Sequence, residues 1–464
     1  MSVEVNRLRF VLSSIFSSIA SCLLFIPVPT YAQGQLEISY ADAQQRFLSK
    51  SDSIEAAKAN VRGLTLQEEA TRSLRRPDLD IDTRVMDYQK TLVLPLGSLA
   101  PVASAFNIQD PLKFRQGGVR LRPVLSAQMP IYAGGKIRAT QQGAKAQVAQ
   151  ATAELNIAAE NGVMQLIQAY FSQQLAEQAY DIRTQVRNGL DRHLSDTSKL
   201  EREGFVSRAQ LLQVQVARDE AEREMQQAQS DLATSNAYLS ALLRTDSPVA
   251  PTTKLFVNSR ISGSLDAFLE AARDAHPQLN RLDARGKLAS SGVEMQKAKL
   301  RPTVYGFAQY DLYRDDALLT EPDWAFGIGV RYKIFGGLGR RQSVDAARQK
   351  VMQADAGMRE ARMQLEIGVT KAWNEMQSAR QRFNLLDSSI ASANENLRLQ
   401  QLSYREGLGT SLDVIDAQLG LGRAKTQRSE AAFNYVMALA QLLNASGQTR
   451  RFPEYVARAD QVLQ

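Results

Sequence analysis

A chain of 464 residues that is 44% hydrophobic but only 7% aromatic lacks the aromatic load of several compact cores; Ala, Gln, Leu, Arg and Glu dominate long stretches of it, the composition of exposed helix and coiled coil. Its net charge of +7 is spread over helical faces among many acids, which reads as a solvated surface rather than a nucleic-acid patch. The single cysteine, Cys22, leaves no route to a disulfide framework or a zinc–thiolate site.

The N-terminus has the form of a secretory signal. Arg7 and Arg9 precede an apolar stretch from Phe10 to Ile26, followed by Pro27, Pro29 and the small-residue end Thr30-Tyr31-Ala32. Cleavage after Ala32 makes residues 1–32 a signal peptide and predicts export. It also removes Cys22 and leaves a net charge of +6, since Arg7, Arg9 and Glu4 go with it. Ile19-Ala20-Ser21-Cys22 resembles a lipoprotein site as well, but the apolar run continues past Cys22 to Ile26, which argues against lipidation.

The mature chain reads as two similar halves. Ile131-Tyr132-Ala133-Gly134 returns as Ile334-Phe335-Gly336-Gly337, Glu203-Gly204 as Glu406-Gly407, and Tyr170 as Trp373, all at one offset of 203 residues. Upstream, Asp52-Ser53-Ile54 with Pro77 matches Pro277-Gln278-Leu279 with Pro302 at an offset of 225. The first half therefore carries 22 additional residues, assigned to Gln89–Phe114, where Pro95, Gly97, Pro101 and Pro111 predict a long loop, read as extracellular and lying over a pore mouth.

Residues 33–247 form the first repeat: a helix, strands at about 78–91 and 115–132, and a long helical hairpin over 136–245. Residues 248–275 form a linking equatorial segment. The second repeat, 276–446, has strands at about 302–314 and 323–335 and a hairpin over 338–446; residues 447–464 make a tail that returns to the equator. No proline occurs between Pro130 and Pro248 or between Pro322 and Pro453, which permits uninterrupted helices there. In the second hairpin Met376, Ala379, Phe383, Leu386, Ile390, Ala393 and Leu397 alternate steps of three and four, a coiled-coil seam; Leu175, Ala179, Ile182 and Val186 are a looser counterpart. A helix from Lys136 to Leu200 is roughly 100 Å long, far beyond the needs of a compact domain.

The strands alternate with period two. Leu121 and Leu125 oppose Arg120 and Arg122; Trp324, Phe326, Ile328 and Val330 oppose Arg331 and Lys333. Lipid on the apolar side and a water-filled pore on the charged side account for this pattern, with Leu121, Leu125, Trp324, Phe326, Ile328 and Val330 lipid-facing and Arg120, Arg122, Arg331 and Lys333 pore-facing. Four strands do not close a barrel, and lipid does not tolerate open sheet edges. Three chains together supply twelve strands. The fold class expected is an α+β membrane protein, a trimeric 12-strand β-barrel with four strands per chain, continued by a long α-helical coiled-coil barrel.

At this point the chain resembles the TolC family of outer-membrane channel-tunnels. The resemblance rests on the duplicated helix-strand-strand-helix plan, the Ile-Tyr/Phe-x-Gly turn after each strand pair, and the segment Tyr404-Arg405-Glu406-Gly407-Leu408-Gly409-Thr410-Ser411-Leu412-Asp413-Val414-Ile415-Asp416-Ala417. It implies a homotrimer in the cell outer membrane with a periplasmic helical extension, acting as the passive exit duct of a tripartite system for type I protein secretion or multidrug efflux. A periplasmic adaptor (membrane fusion) protein and an inner-membrane transporter of ABC or RND type would open it.

Asp413 and Asp416, three apart on one helical face, would stack as two carboxylate rings in a trimer. By the resemblance they line a periplasmic constriction with Tyr404. In the first hairpin the position equivalent to Asp413 holds Gln210 instead of an acid, and where the family has a basic partner for the tyrosine this chain has Gly409. The hairpin tips, Gly204, Val206 and Ser207 with Gly407, Gly409 and Thr410, are the implied adaptor contacts; the same residue types also turn and cap helices.

Gly134-Gly135-Lys136 and Gly336-Gly337-Leu338-Gly339 lack phosphate-loop spacing and read as turns. His193 and His276 stand alone in their helical surroundings. No catalytic constellation, metal site or cofactor motif is found, and no nucleic-acid partner is expected. The competing expectation is a pore-less periplasmic coiled-coil or adhesin scaffold.

Overall fold

The computed structural model describes residues 36–260, 263–313, 322–335 and 339–463. The signal segment, Cys22 and the Gly336-Gly337-Leu338 turn lie outside them. Two pairs of long helices set the scale. Helix α4 (Lys136–Arg202) is 67 residues and α8 (Arg340–Arg405) is 66, each about 100 Å at 1.5 Å per residue. Each folds back into a shorter helix, α4 into α5 (Arg208–Leu243) and α8 into α9 (Ser411–Ala445). On α8 the seam residues Met376, Ala379 and Phe383 are buried and Leu386, Ile390, Ala393 and Leu397 half-buried, whereas Leu385, off the seam, is 71% exposed.

At mid-height, around Tyr170 of α4, short elements from across the sequence knot the helices together. Strand β1 (Leu36–Ile38) pairs in parallel with β4 (Val249–Pro251), and β5 (Phe256–Val257) pairs antiparallel with β8 (Gln461–Val462). Helices α1 (Tyr40–Lys50), α6 (Leu265–Ala275) and α10 (Phe452–Val456) pack around them. Tyr40, Tyr170, Phe171, Phe256 and Phe452 form a ring cluster with centroids 5.0 to 6.0 Å apart, mostly edge to face. The buried Tyr170 hydroxyl is satisfied, donating to the Ile38 carbonyl at 2.8 Å and accepting from the Thr253 N–H at 2.9 Å. Glu160 binds the Thr449 N–H at 2.8 Å, tying the C-terminal tail to α4.

Helix α2 (Asp52–Ala70) leads into β2 (Asp78–Leu94), which forms a hairpin with β3 (Leu112–Tyr132); helix α7 (Pro277–Ala298) leads into β6 (Thr303–Asp311), which forms one with β7 (Trp324–Arg331). The four strands form one antiparallel sheet in the order β2-β3-β6-β7, and among the described residues β2 and β7 are its unpaired edges.

Two strand assignments need correction. The loop expected over 89–114 is shorter at both ends: β2 continues to Leu94 and β3 starts at Leu112, because cross-strand pairing runs right up to Pro95 and Pro111, which bound a tip holding the short helix α3 (Ala100–Ala105). The last strand is shorter than expected, ending at Arg331, so Lys333 lies beyond it.

Candidate functional site

Where the four strands lie side by side, the pairing register places an apolar row from each on one face. Ile81 lies opposite Leu125, Leu125 opposite Tyr310, and Tyr310 opposite Trp324; Val85 pairs with Leu121, Ala308 with Phe326, and Val304 with Val330. Phe326, Ile328 and Val330 are about 70% exposed (74%, 69% and 68%), and Trp324 is 60% exposed. An apolar sheet face this bare in water is a surface built for another apolar phase. In the third strand, Tyr305 and Phe307 lie on the other face, where they cross Gly329 and Gly327. A Cβ on Gly329 would come within 2.5 Å of the Tyr305 ring, so the two glycines of β7 are the space the aromatics occupy.

Arg120, Arg122 and Arg331 share that second face. Arg120 does not stand free in a pore: it is 3% exposed and lies 3.8 Å from the buried Asp311 carboxylate, to which Arg122 also donates at 3.1 Å. Asp311, missed in the sequence because it ends an irregular strand, offsets charge that the alternation alone leaves open.

The far ends of the helical hairpins are built alike. After α4, Gly204 takes φ +81°, and the Phe205 N–H reaches back to the Leu200 carbonyl at 2.9 Å; after α8, Gly407 takes φ +72°, and the Leu408 N–H reaches Ser403 at 2.8 Å. The following helices start with reciprocal capping boxes, Ser207 with Gln210 and Thr410 with Asp413. A Cβ on Gly409 would lie 3.2 Å from the Ser403 side chain and 3.3 Å from the Tyr404 nitrogen, so this tight turn has little room for a longer side chain.

These ends separate the constriction candidates rather than joining them. Asp413 and Asp416 are exposed on the same face of α9. The Asp413 carboxylate accepts from the Thr410 hydroxyl at 2.6 Å and the Thr410 N–H at 2.9 Å, and these bonds hold it below the usual aspartate range. Gln210 caps α5 through Ser207. Tyr404 turns inward, its hydroxyl 3.0 Å from the Thr197 hydroxyl of α4.

Beside Tyr404 lies His193. Its ring meets the tyrosine edge-on at 4.8 Å, and its Nε2 is 2.8 Å from the Ser411 hydroxyl. His193, Thr197, Tyr404 and Ser411 are all buried, and burial lowers the His193 pKa. The expectation that His193 stands alone is therefore corrected: it belongs to a polar plug that locks the end of α4 to the α8–α9 turn. The signal was available in Val186, Leu190, His193 and Thr197, whose seam spacing continues from apolar into polar residues. His276 is likewise engaged. Its Nδ1 accepts from the Gln278 N–H at 3.1 Å, capping α7, which leaves Nε2 to donate to the Asn444 carbonyl at 3.3 Å.

At the tips Phe205 and Leu408 are 75% and 86% exposed. Both lie within the tip segments 204–207 and 407–410 that the sequence singles out, and here neither packs back on its helix. Among the described residues no helix is long and apolar enough to cross a membrane, and no group of three potential metal ligands occurs.

Residues 268–448 match the family described as outer membrane efflux protein. The protein CyaE of Bordetella pertussis is 22% identical over 69% of this chain and 69% of its own length. Among solved structures, the outer membrane protein VceC of Vibrio cholerae superposes with a TM-score of 0.71, 17% identity, and coverage of 88% of this chain and 96% of VceC. The outer-membrane channel OprN gives 0.74 at 15% identity, over 89% and 90% of the two chains. These neighbours share the mostly helical α+β fold.

Proposed function

We propose that this chain is a TolC-like outer-membrane exit duct, a reading supported by the outer membrane efflux match and the channel relatives, and that it works as a homotrimer in which three four-stranded sheets close one 12-strand barrel. The observation that carries this reading is the open sheet with an apolar face. Edges β2 and β7 are unpaired in one chain, and such edges in lipid must find partners, each β7 pairing with the next protomer's β2. The helical hairpins continue the barrel as a periplasmic coiled-coil tunnel built from an internal duplication, with residues 1–32 removed on export.

Asp413 and Asp416 form the carboxylate rings of the periplasmic constriction, with Tyr404 and Gln210 as supports rather than latches, since each is bonded within its own hairpin or to α4. The tips, Phe205 and Leu408 foremost, dock an adaptor protein, and an inner-membrane transporter of ABC or RND type supplies the energy for protein secretion or drug efflux. Lys333 lies at the periplasmic rim instead of in the barrel wall.

Two measurements test this. Unboiled electrophoresis of the purified protein should show a heat-sensitive trimer, and planar bilayers should show a cation-preferring pore whose preference falls in an Asp413→Ala/Asp416→Ala variant. A monomer, or a pore whose selectivity is indifferent to both substitutions, would refute the corresponding part.

A further inference from the structure

Strand β3 is joined by β6 only from Val124 onward, opposite Asp311. Past that point β2 from Arg84 to Leu94 pairs with β3 from Arg122 back to Leu112 as a two-stranded ribbon, with no third strand paired to it among the described residues. At about 3.3 Å per residue it rises roughly 35 Å beyond the sheet, and such a ribbon is marginally stable in water unless something covers it.

The side-chain pattern of the ribbon is inverted. Within the sheet, the outer face carries Leu79, Ile81 and Val85 and the inner face Asp78, Asp80, Asp82 and Arg84. Above it the inner face carries Met86 opposite Arg120, Tyr88 opposite Gly118, Lys90 opposite Gln116, and then the apolar pairs Leu92–Phe114 and Leu94–Leu112. The outer face carries Asp87 opposite Val119, Gln89 opposite Gly117, Thr91 opposite Arg115 and Val93 opposite Lys113, so the two valines are its only apolar members. The pairing is unbroken, so the inversion is in the sequence and not in the register. It occurs at Gly117-Gly118. Gly118 has φ +140°, and a Cβ on Gly117 would lie 2.7 Å from the Tyr88 carbonyl oxygen. In one chain Phe114 is still 55% and Leu94 45% exposed.

We propose that the inner faces of the three β2–β3 ribbons pack on one another over the pore axis and form an apolar extracellular constriction. This rests on the trimer proposed above. The occupant is a second copy of the chain because the ribbon rises from edge strand β2, which is itself the subunit seam. Its apolar side faces the lumen, where the nearest comparable surface is the same face of the neighbours. Its polar, basic side is left to water and lipid headgroups.

Cysteine scanning of the full-length chain in a Cys22→Ser background tests the assignment. Leu94→Cys and Phe114→Cys should give reducible dimers within the trimer when intact cells are treated with a mild oxidant. They should react poorly with a membrane-impermeant maleimide. Thr91→Cys and Lys113→Cys should label readily and not cross-link. A chain that runs as a monomer overturns both the trimer and this closure. An intact trimer whose inner-face cysteines label freely without cross-linking overturns the closure alone. So does protection that appears only during export, which would make an apolar cargo the occupant.

Discussion

Gly422 on α9 faces α4 at a point where no side chain fits between the helices. A Cβ built there would lie 2.5 Å from Val186 Cγ2, against about 3.5 to 4.0 Å for an ordinary carbon contact. Val186 is 3% exposed, packed with Leu190, Val214, Ala221 and Ile415, and its branched side chain has no free rotamer to retreat into. Gly422→Ala should therefore incur an overpacking cost of about 1 to 3 kcal/mol. Helix propensity returns about 1 kcal/mol, for a net loss of up to about 2 kcal/mol. Gly420, two residues away on the same helix, has no atom within 4 Å of its built Cβ, so Gly420→Ala should gain about 1 kcal/mol. Gly189→Ala should fall between, because its 2.6 Å contact is with the far end of the flexible Gln418 side chain. The assay is denaturant unfolding of the detergent-solubilised protein followed by helical circular dichroism. Adding Val186→Ala to Gly422→Ala should reveal a favourable coupling between the two positions. The reasoning is refuted if Gly422→Ala is as stable as Gly420→Ala, or if the Val186 substitution shows no coupling to it.

Asp311→Ala should destabilise the strand region by about 3 to 5 kcal/mol, because it takes a buried carboxylate away from the buried Arg120 and from Arg122, and loss of the heat-sensitive trimer band would report it. Removing Arg120 as well, in Arg120→Met/Asp311→Ala, should recover much of that loss. The only two histidines, His193 and His276, are both depressed below the ordinary value of about 6.5 by burial. The unfolded chain then takes up protons that the folded chain refuses, so stability is full above about pH 6.5 and declines as pH falls through the lowered values. In a His193→Gln/His276→Asn variant the midpoint measured between pH 6.5 and pH 5 should lose most of that decline; an unchanged profile would place its origin in the carboxylates. Tyr404→Phe should cost about 1 kcal/mol by leaving Thr197 without its partner, while Thr197→Val/Tyr404→Phe should cost less than the two single changes combined.

How far the sequence reaches is visible at particular residues. The long helices follow from proline-free stretches and from a seam through Met376, Ala379 and Phe383, all local patterns. The shared face of Leu121, Leu125, Trp324 and Phe326 follows from period-two alternation and needs only pairing to become a surface. The expected loop 89–114 contains a real tip at 95–111 but was drawn too long at both ends, because prolines were counted and cross-strand partners were not: a hairpin is stabilised by residues farther along the chain, and composition does not display them. The same limit hid Asp311 behind Arg120 and Arg122, and Ser411 behind His193, pairs 218 residues apart in the latter case.

The sequence by itself determined the periodicities, and with them the long helices, the four amphipathic strands and the capped turns, since each depends on neighbours within a few residues. Only the tertiary structure decided where charge is offset and where polar groups are satisfied. It gave Asp311 to the arginines, Thr197 to Tyr404 and Ser411 to His193. A buried hydrogen bond or ion pair is set by which helices and strands are brought side by side, and that is decided by packing across the whole chain.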